Sequence, residues 1–296
     1  MRVFLTGATG FIGSHIIPEL LGAGHSVLGL TRSEVGAEAL KAAGAEPHAG
    51  DLENLESLRS GAAATDGVIH CGFVHDFSKF VENSEIDRRA IEAMGEALAG
   101  SNRPLIVSGG IGPWGKDGRP VTEDDGHPPQ GPTPRVSEPA ALAFVGKGVK
   151  AAVVRLPQVH DTAKQGLVTM LIGIAREKGV SAYVGDGAGR WPAAHILDVA
   201  KLYQLALDKG EAGGRYHAVG EQGVSLKAIA EAIGRGLKLP VISVAPEDAG
   251  AHFGFFGGFV AADLSASSAL TQQRLDWRPT GPGMIADLDH MNYDAA

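Results

Sequence analysis

The sequence has one cysteine, no long apolar run and no cluster of basic residues. With Cys71 alone among 296 residues, an intrachain disulfide and a multi-cysteine metal site are excluded, and a reducing compartment is favoured. The longest apolar stretches, such as 140–145 and the glycine-containing 253–262, fall well below the roughly 18 residues of a membrane span. A net charge of −8 without a basic run argues against nucleic-acid binding. No secretory signal follows Met1, so we expect a cytoplasmic protein without nucleic-acid or membrane partners.

The first half of the chain alternates short β-branched runs with helical patterns. This alternation is typical of parallel βαβ units, and it predicts an α/β fold with a doubly wound parallel sheet. The predicted strands are 2–5, 26–31, 67–71, 105–108 and 151–156, and the predicted helices are 12–21, 35–43, 55–62, 86–99 and 138–146.

The second half begins after a segment of different composition. Residues 114–139 hold six prolines and show no helical or strand period, which predicts a long loop that is either functional or a plain surface connection. Beyond it we predict helices at 166–178, 195–208 and 226–237 and a strand at 241–244.

A glycine motif between the first predicted strand and the first predicted helix carries the functional interpretation. In the run Thr6 to Gly13, Gly7 permits a tight turn, Gly10 lets the backbone approach a pyrophosphate, and Gly13 allows close packing of the helix. The helix N-terminus adds amide donors for the anion, so the context predicts dinucleotide binding rather than a chance glycine-rich turn. The residues predicted to contact the cofactor here are Gly7, Thr9, Gly10, Phe11, Ile12 and Gly13.

The spacing of these glycines resembles that of the short-chain dehydrogenase/reductase superfamily, and most closely its extended, NAD-dependent epimerase/dehydratase-like branch. The resemblance covers essentially the whole chain, through the segment of Asp51 and Leu52, which resembles the adenine contact, the segment ending at Pro157, and the segment 190–200. It implies a Rossmann domain and a smaller, mainly C-terminal substrate-binding lobe, with the active site between them. The implied ranges are 1–160 for the first, with 190–215 packing back onto it, and 161–189 and 216–296 for the second.

The end of the second predicted strand indicates which dinucleotide is bound. Arg32 and Ser33 stand where NAD-binding proteins place a carboxylate for the ribose 2′-hydroxyl. A cation and a hydroxyl suit a 2′-phosphate, so we predict NADP(H), with a solvated arginine as the alternative interpretation.

The catalytic pair of the superfamily, Tyr-x-x-x-Lys, is absent. None of the four tyrosines is followed by a lysine four residues later. By the resemblance the pair would fall between 130 and 138, where the chain offers Arg135, Ser137 and Glu138 instead. The chain therefore resembles an atypical member of this branch.

Other polar residues at strand ends are candidates for the proton-transfer step. Ser108, His75 and His160 each follow a predicted strand, at the edge of the sheet where ligands of such folds bind. A hydroxyl or a near-neutral imidazole can handle a proton, although a structural hydrogen bond is the alternative for each. No HExxH pattern or close pair of ligands is present, so no metal site is expected.

These features support three functional hypotheses. The first is an NADP(H)-dependent oxidoreductase that transfers a hydride to or from a carbonyl or alcohol carbon of a small organic substrate. The second is a sugar or nucleotide-sugar epimerase or dehydratase that uses bound NAD(P), and the third is a non-catalytic NADP-binding regulatory protein. Phenylalanines at 253, 255, 256 and 259 predict an apolar pocket wall or a contact in a homodimer, with core packing as the alternative interpretation.

Overall fold

A seven-stranded, all-parallel sheet forms the centre of the structure, a computed structural model that describes residues 1–115, 118–128 and 134–294. The strand order is β10-β6-β5-β4-β1-β2-β3, which confirms the predicted doubly wound sheet. Its strands are β1 (Arg2–Thr6), β2 (Ser26–Thr31), β3 (Glu46–Ala49), β4 (Gly67–His70), β5 (Pro104–Gly110), β6 (Lys150–Leu156) and β10 (Arg215–His217).

Helices cover both faces of this sheet, and each face has its own apolar layer. Along β1 the side chains alternate, so that Val3 and Leu5 join the cluster of α1 (Phe11–Gly22) and α7 (Ile196–Lys209), whereas Phe4 joins the cluster on the other face. That other face is covered by α3 (Leu55–Ala63), α4 (Phe80–Leu98) and α5 (Ser137–Leu142), while α2 (Glu34–Ala42) packs near the β2–β3 edge. Strands buried on both faces explain the apolar runs in the sequence.

A second group of elements lies beyond β6. It contains a three-stranded sheet in the order β11-β9-β7 and a two-stranded sheet of β12 and β8. The strands are β7 (Gln158–His160), β8 (Ser181–Val184), β9 (Arg190–His195), β11 (Glu221–Ser225) and β12 (Val241–Val244), and the helices are α6 (Val168–Lys178), α8 (Leu226–Leu237), α9 (Ala249–Phe253), α10 (Gly257–Ala261), α11 (Ala269–Leu275) and α12 (Met284–His290). A separate apolar cluster joins most of these elements, whereas Val159 of β7 and Leu275 of α11 belong to the cluster of α1 and α7.

Several boundaries differ from the sequence prediction. Strands β3, β7, β8, β9, β10 and β11 were not predicted, because each is only three to six residues long and lacks a clear apolar alternation. Helix α4 begins at Phe80, earlier than the predicted 86, and α5 ends at Leu142, before the predicted 146. The end of α5 gives way to a 3₁₀ turn that stops at Gly148 in the left-handed region, with φ of 72°.

Residues far along the chain return to the large sheet. Leu275 and Trp277 are buried in the same cluster as α1 and α7, and β10 is the outermost strand next to β6. The described parts of the proline-rich segment are irregular, and a bridge from Val121 to Ala266 ties that segment to the C-terminal region. The division into two lobes at the ranges given above stays a prediction. Among the described helices, none combines the length and apolarity needed to cross a bilayer.

Candidate functional site

The glycine loop, residues 6–13, follows β1. It lies where the strand order of the sheet changes direction, between β1 and β4. Gly7 has φ of 67°, and a Cβ there would lie 2.8 Å from the backbone of Cys71 and Gly72 at the end of β4. A Cβ on Gly13 would lie 2.1 Å from the carbonyl oxygen of Gly7. Both positions therefore require glycine, as the sequence prediction assumes.

The N-terminus of α1 is open for an anion. Gly10 caps the helix without a side-chain hydrogen bond, and the first turn carries no acidic residue. Thr9 is exposed and Phe11 and Ile12 are partly exposed, so the amide groups of this turn are free to meet a phosphate. The exposed Lys164 places its Nζ 5.7 Å from the centre of the Phe11 ring. The loop and this cation suit the pyrophosphate of a dinucleotide.

No motif in the sequence pointed to Lys164. It reaches the glycine loop only because β7 and the turn after it lie beside the carboxyl ends of the sheet strands, and the sequence did not predict β7. Pro157, partly exposed, joins β6 to β7 on this same side.

At the end of β2, Arg32 is exposed and has no hydrogen bond or ion pair with any described residue. Ser33 caps α2, since its hydroxyl accepts a hydrogen bond from the amide of Gly36 at 3.1 Å. Asp51 Oδ1 accepts two amide hydrogen bonds at 2.9 Å within the turn after β3. Leu52 reaches toward the end of β4, where a Cβ on Gly72 would lie 2.9 Å from its Cδ2. Of these four predicted cofactor contacts, Arg32 is the one without a structural partner in the described chain.

A hydrogen-bonded chain of five residues connects β1 with the residues before α5. We call it the Asp87 network, and its members are Thr6, His70, Asp87, Ser137 and Arg135. Thr6 Oγ1 lies 2.7 Å from His70 Nδ1, and His70 Nε2 lies 3.1 Å from Asp87 Oδ1. Ser137 donates to Asp87 Oδ2 at 2.5 Å and accepts from Arg135 Nε at 2.8 Å.

The protein favours the ionised form of the buried Asp87 side chain. Burial alone would raise its pKa, but hydrogen bonds from His70 and Ser137 and the charge of Arg135 lower the pKa overall. Sequence reasoning missed Asp87, although its position was a signal: this carboxylate lies on the buried side of α4 together with the apolar Ile86, Ala90 and Ile91.

Arg135 is the end of the Asp87 network that faces outward. Its side chain is 22% exposed, whereas that of Asp87 is 1% exposed. One Nη group donates to the carbonyl of Ser108 at 3.1 Å, and the guanidinium carbon lies 4.2 Å from the centre of the Phe73 ring. The other Nη group has no partner in the described part of the chain. A charged donor with free N–H groups thus stands at the carboxyl ends of β4 and β5.

The missing catalytic pair was expected between 130 and 138. Residues 129–133 of this part of the chain lie outside the described residues.

Ser108 lies at this same end of the sheet, but its hydroxyl is buried and engaged. It donates to the carbonyl of His70 at 2.8 Å and lies 2.6 Å from the hydroxyl of Tyr203 on α7. Burial raises the pKa of Tyr203 well above its usual value, and burial raises the pKa of the neighbouring Cys71 thiol to about 11. Sequence reasoning missed Tyr203 because it sits outside any Tyr-x-x-x-Lys pattern.

His75 belongs to a row of rings that begins at Phe73. We call this the aromatic row, and its members are Phe73, His75, Phe77, Phe80 and Phe255. Ring centres are 5.3 Å apart for Phe73 and His75 and 6.2 Å apart for His75 and Phe77. Phe77 stacks on Phe255 at 6.0 Å, which links the segment after β4 to the C-terminal region. Desolvation and the charge of Arg135 lower the pKa of His75, so its neutral form is favoured.

His160 lies apart from Ser108 and His75. It is on β7 in the three-stranded sheet, fully buried, with Nδ1 2.7 Å from Asp287 Oδ2. Burial lowers the pKa of His160 although Asp287 opposes the shift. The structure therefore brings Ser108 and His75 together beside Arg135 and gives His160 a different neighbourhood.

Glu138, the residue after Ser137, belongs to a second buried set, which we call the Glu138 network: Glu138, Arg155, Arg215 and His217. Arg155 donates from Nε and Nη2 to the two oxygens of Glu138 at 2.7 and 2.8 Å, and Arg215 adds a contact of 2.7 Å. Arg155 Nη1 donates to His217 Nε2 at 3.1 Å. Burial, together with the charge of Arg155, lowers the pKa of His217 to about 4 although Glu123 opposes the shift.

Comparison with known proteins agrees with this geometry. The NAD dependent epimerase/dehydratase family matches residues 3–219. Uncharacterized protein C2A9.02 of Schizosaccharomyces pombe is 50% identical over 290 residues, 97% of this chain and 98% of that protein. A 4-hydroxy-2-methyl-3-oxo-4-farnesyl-3,4-dihydroquinoline-1-oxide ketoreductase of Stigmatella aurantiaca is 28% identical over 77% of this chain and 71% of that protein. The dTDP-glucose 4,6-dehydratase DesIV of Streptomyces venezuelae, solved with NAD bound, has the same fold, with a TM-score of 0.76 at 19% identity over 97% and 96% of the two chains. The chain belongs to the NAD-dependent epimerase/dehydratase family.

Proposed function

We propose that the protein is an NADP(H)-dependent oxidoreductase that transfers a hydride to or from a carbonyl or alcohol carbon of a small organic substrate. The observation that carries the proposal is the placement of two arginines on opposite sides of the glycine loop. Arg32 follows β2 on one side, and Arg135 stands at the ends of β4 and β5 on the other. In doubly wound sheets a dinucleotide lies across this crevice.

Residues of the chain account for each part of such a cofactor. The amides at the start of α1 would hold the pyrophosphate, Arg32 and Ser33 the 2′-phosphate, and Asp51 and Leu52 the adenosine end. Pro157 would line the nicotinamide end. When bound, the nicotinamide supplies or accepts the hydride, and the protein holds the substrate oxygen beside it. The assignment of Ser108, His75 or His160 to proton transfer stays a prediction.

A relative whose name describes an oxidoreductase supports this proposal. The Stigmatella protein is named as a ketoreductase, and its similarity covers most of this chain. The epimerase or dehydratase hypothesis has less support from the residues, because this sequence lacks the Tyr-x-x-x-Lys pair of the superfamily. Measuring whether the protein consumes the cofactor distinguishes the regulatory hypothesis from the proposal.

Calorimetric titration with NADPH and NADH tests the cofactor. We expect NADPH to bind at least about tenfold more tightly, and Arg32→Ala to remove most of that preference, because a charge-assisted contact contributes about 1.5 to 3 kcal/mol. Glu34→Gln, two residues further on, is the matched control and should leave NADPH the preferred cofactor. Equal affinities in the parent protein would contradict the choice of NADP(H).

Net oxidation of NADPH by a panel of carbonyl compounds tests the reaction class. An oxidoreductase consumes the cofactor and reduces one of the compounds. Tight binding without consumption, for every compound in the panel, would favour the regulatory hypothesis, and an epimerase would return the cofactor unchanged.

A further inference from the structure

The end of the site near Arg135 holds a fixed positive charge without an available proton donor among the described residues. The lowered pKa of His75 leaves its ring neutral near pH 7. The thiol of the half-buried Cys71 keeps its proton with a pKa of about 11, Tyr203 is buried against Ser108, and Asp87 is a buried carboxylate. The group that faces outward is Arg135, since its side chain is partly exposed and keeps free N–H groups.

This combination restricts the chemistry that the site can support. A guanidinium stabilises negative charge but does not release its proton at neutral pH. An alkoxide, about as basic as hydroxide, must be protonated as it forms, because the pKa of water is about 15.7. A phenolate or enolate is far less basic, with a pKa near the value of about 10 for a phenol such as tyrosine. A preorganised cation is sufficient to stabilise such an oxyanion.

The shape of the surroundings restricts the substrate further. The guanidinium carbon of Arg135 lies over Phe73, the first ring of the aromatic row, 4.2 Å from the ring centre. The row continues through His75 and Phe77 to Phe255, so its apolar surface extends from the cation to the C-terminal region. Aromatic side chains beside a cation match a conjugated molecule with one polar oxygen better than a polyhydroxylated sugar.

We propose that Arg135 is the catalytic residue that binds the developing oxyanion, and that the substrate is a conjugated carbonyl compound, that is, a quinone or an α,β-unsaturated ketone. This inference rests on the NADP(H)-dependent hydride transfer of the proposed function. It places the hydride on the conjugated system of the substrate, and it takes the place of the prediction that Ser108, His75 or His160 donates the proton. The substrate accepts one hydride from the bound nicotinamide, which is left as NADP⁺. The electron pair displaced from the conjugated double bond moves onto the carbonyl oxygen, and the guanidinium of Arg135 stabilises the resulting anion. Water supplies one proton after the transfer.

The Asp87 network has a positioning function in this proposal. Ser137 holds Nε of Arg135, and the buried carboxylate of Asp87 lies 3.9 Å from that nitrogen. The carbonyl of Ser108 holds a second edge of the guanidinium at 3.1 Å. These contacts engage Nε and one Nη group, so the other Nη group of the partly exposed side chain is left for a substrate oxygen.

Binding of 4-nitrophenol tests the charge without requiring turnover. Its phenolate absorbs at longer wavelength than the phenol, so the pKa of the bound dye can be read by titration in the presence of NADP⁺. A cation in contact with its oxygen should lower that pKa by about 1 to 3 units. Arg135→Met should abolish the shift, Arg135→Lys should retain part of it, and Arg88→Met, which changes an arginine on the exposed face of α4, should leave it intact. Equal dye pKa values in the parent and in Arg135→Met, or no binding of the dye, would overturn the proposal.

Stopped-flow transfer from NADPH tests the substrate class. We expect menadione to be reduced at least about a hundredfold faster than cyclohexanone, since the saturated ketone would need a proton donor worth about 10² to 10⁴ in rate. The transfer rate should be flat from pH 6 to 9 and should fall in Arg135→Met while the affinity for NADPH is retained. A faster reaction with cyclohexanone, a rate that falls with a single ionisation, or reduction of neither compound would each overturn the inference. Failure to bind NADPH is a separate outcome that would overturn the proposed cofactor.

Discussion

Two consecutive residues at the start of α5 enter two different buried networks. Ser137 joins the Asp87 network, which runs back to β1 and ends at the partly exposed Arg135. Glu138 joins the Glu138 network, in which its two oxygens receive Arg155 and Arg215. Both networks contain a buried carboxylate, a histidine and at least one arginine. The contrast is between Arg135, which keeps unused N–H groups, and the fully buried Arg155, which, unlike the 31% exposed Arg215, uses every nitrogen of its guanidinium.

The difference shows how similar groups acquire different functions. In the Glu138 network the fully buried Arg155 donates from all three of its nitrogen atoms to protein acceptors, so its charge is neutralised inside the structure. In the Asp87 network a serine stands between the carboxylate and the guanidinium, so part of the positive charge stays available. We therefore expect changes in the Glu138 network to affect stability first, and changes in the Asp87 network to affect catalysis first.

The largest expected effect is that of Glu138→Gln on stability. The substitution leaves Arg155 buried without its counter-charge, which typically costs about 3 to 5 kcal/mol in free energy of unfolding. Urea denaturation followed by circular dichroism measures this loss. Glu85→Gln, which removes an exposed partner of Arg88, is the control and should cause no measurable change. A small loss of unfolding free energy in Glu138→Gln would mean that the Glu138 network does not stabilise the fold.

The second prediction concerns pH and His217. Its pKa of about 4 in the folded protein lies below the usual 6.5, so the unfolded chain binds the additional proton more readily. The stability contributed by neutral His217 is therefore present above pH 6.5 and is lost as pH falls toward 4, by about 3 kcal/mol in total. Unfolding free energies measured from pH 4 to 7 should show a weaker pH dependence in His217→Gln than in the parent. Identical slopes would contradict this assignment.

The third prediction, Ser137→Ala, tests the Asp87 network. Loss of a hydrogen bond to a buried carboxylate should lower the unfolding free energy by about 2 kcal/mol, less than Glu138→Gln. Because the alanine no longer holds Arg135, hydride transfer should slow by about ten- to a hundredfold. Single-turnover kinetics at saturating NADPH measure the rate, and Ser137→Thr, which keeps the hydroxyl, should restore much of it. An unchanged rate in Ser137→Ala would show that Arg135 does not depend on this network.

The smallest effect is expected for Tyr203→Phe. Its hydroxyl contacts Ser108 inside the protein and is fully buried, so the change should cost only about 1 kcal/mol of stability. Hydride transfer should continue at nearly the parent rate, because the tyrosine does not reach the site near Arg135. Abolished turnover with folding and cofactor affinity intact would instead make Tyr203 the proton donor.

The sequence predicts the cofactor-binding part of the site far better than the part around Arg135. Gly7, Gly10 and Gly13 are local in the chain, and the strand and helix beside them have clear periodicity. The predicted family and the doubly wound sheet were accordingly confirmed. The contacts of Arg135 depend instead on residues 27 to 62 positions away, such as Ser108 and Phe73, and no local pattern encodes them. Ser108, His75 and His160 were selected by their position after strands, which does not indicate where each side chain points.

The adjacency of Ser137 and Glu138 has a consequence for inactivation by heat. Helix α5 is only six residues long, so its first turn cannot move at Ser137 without also moving at Glu138. Freeing the guanidinium of Arg135 by local motion would therefore expose the ion pairs that hold β6 and β10, the strands of Arg155 and Arg215. On heating, the reacting end of the site should be lost together with the sheet itself, in one cooperative transition, and not in an earlier step that leaves a folded but inactive protein.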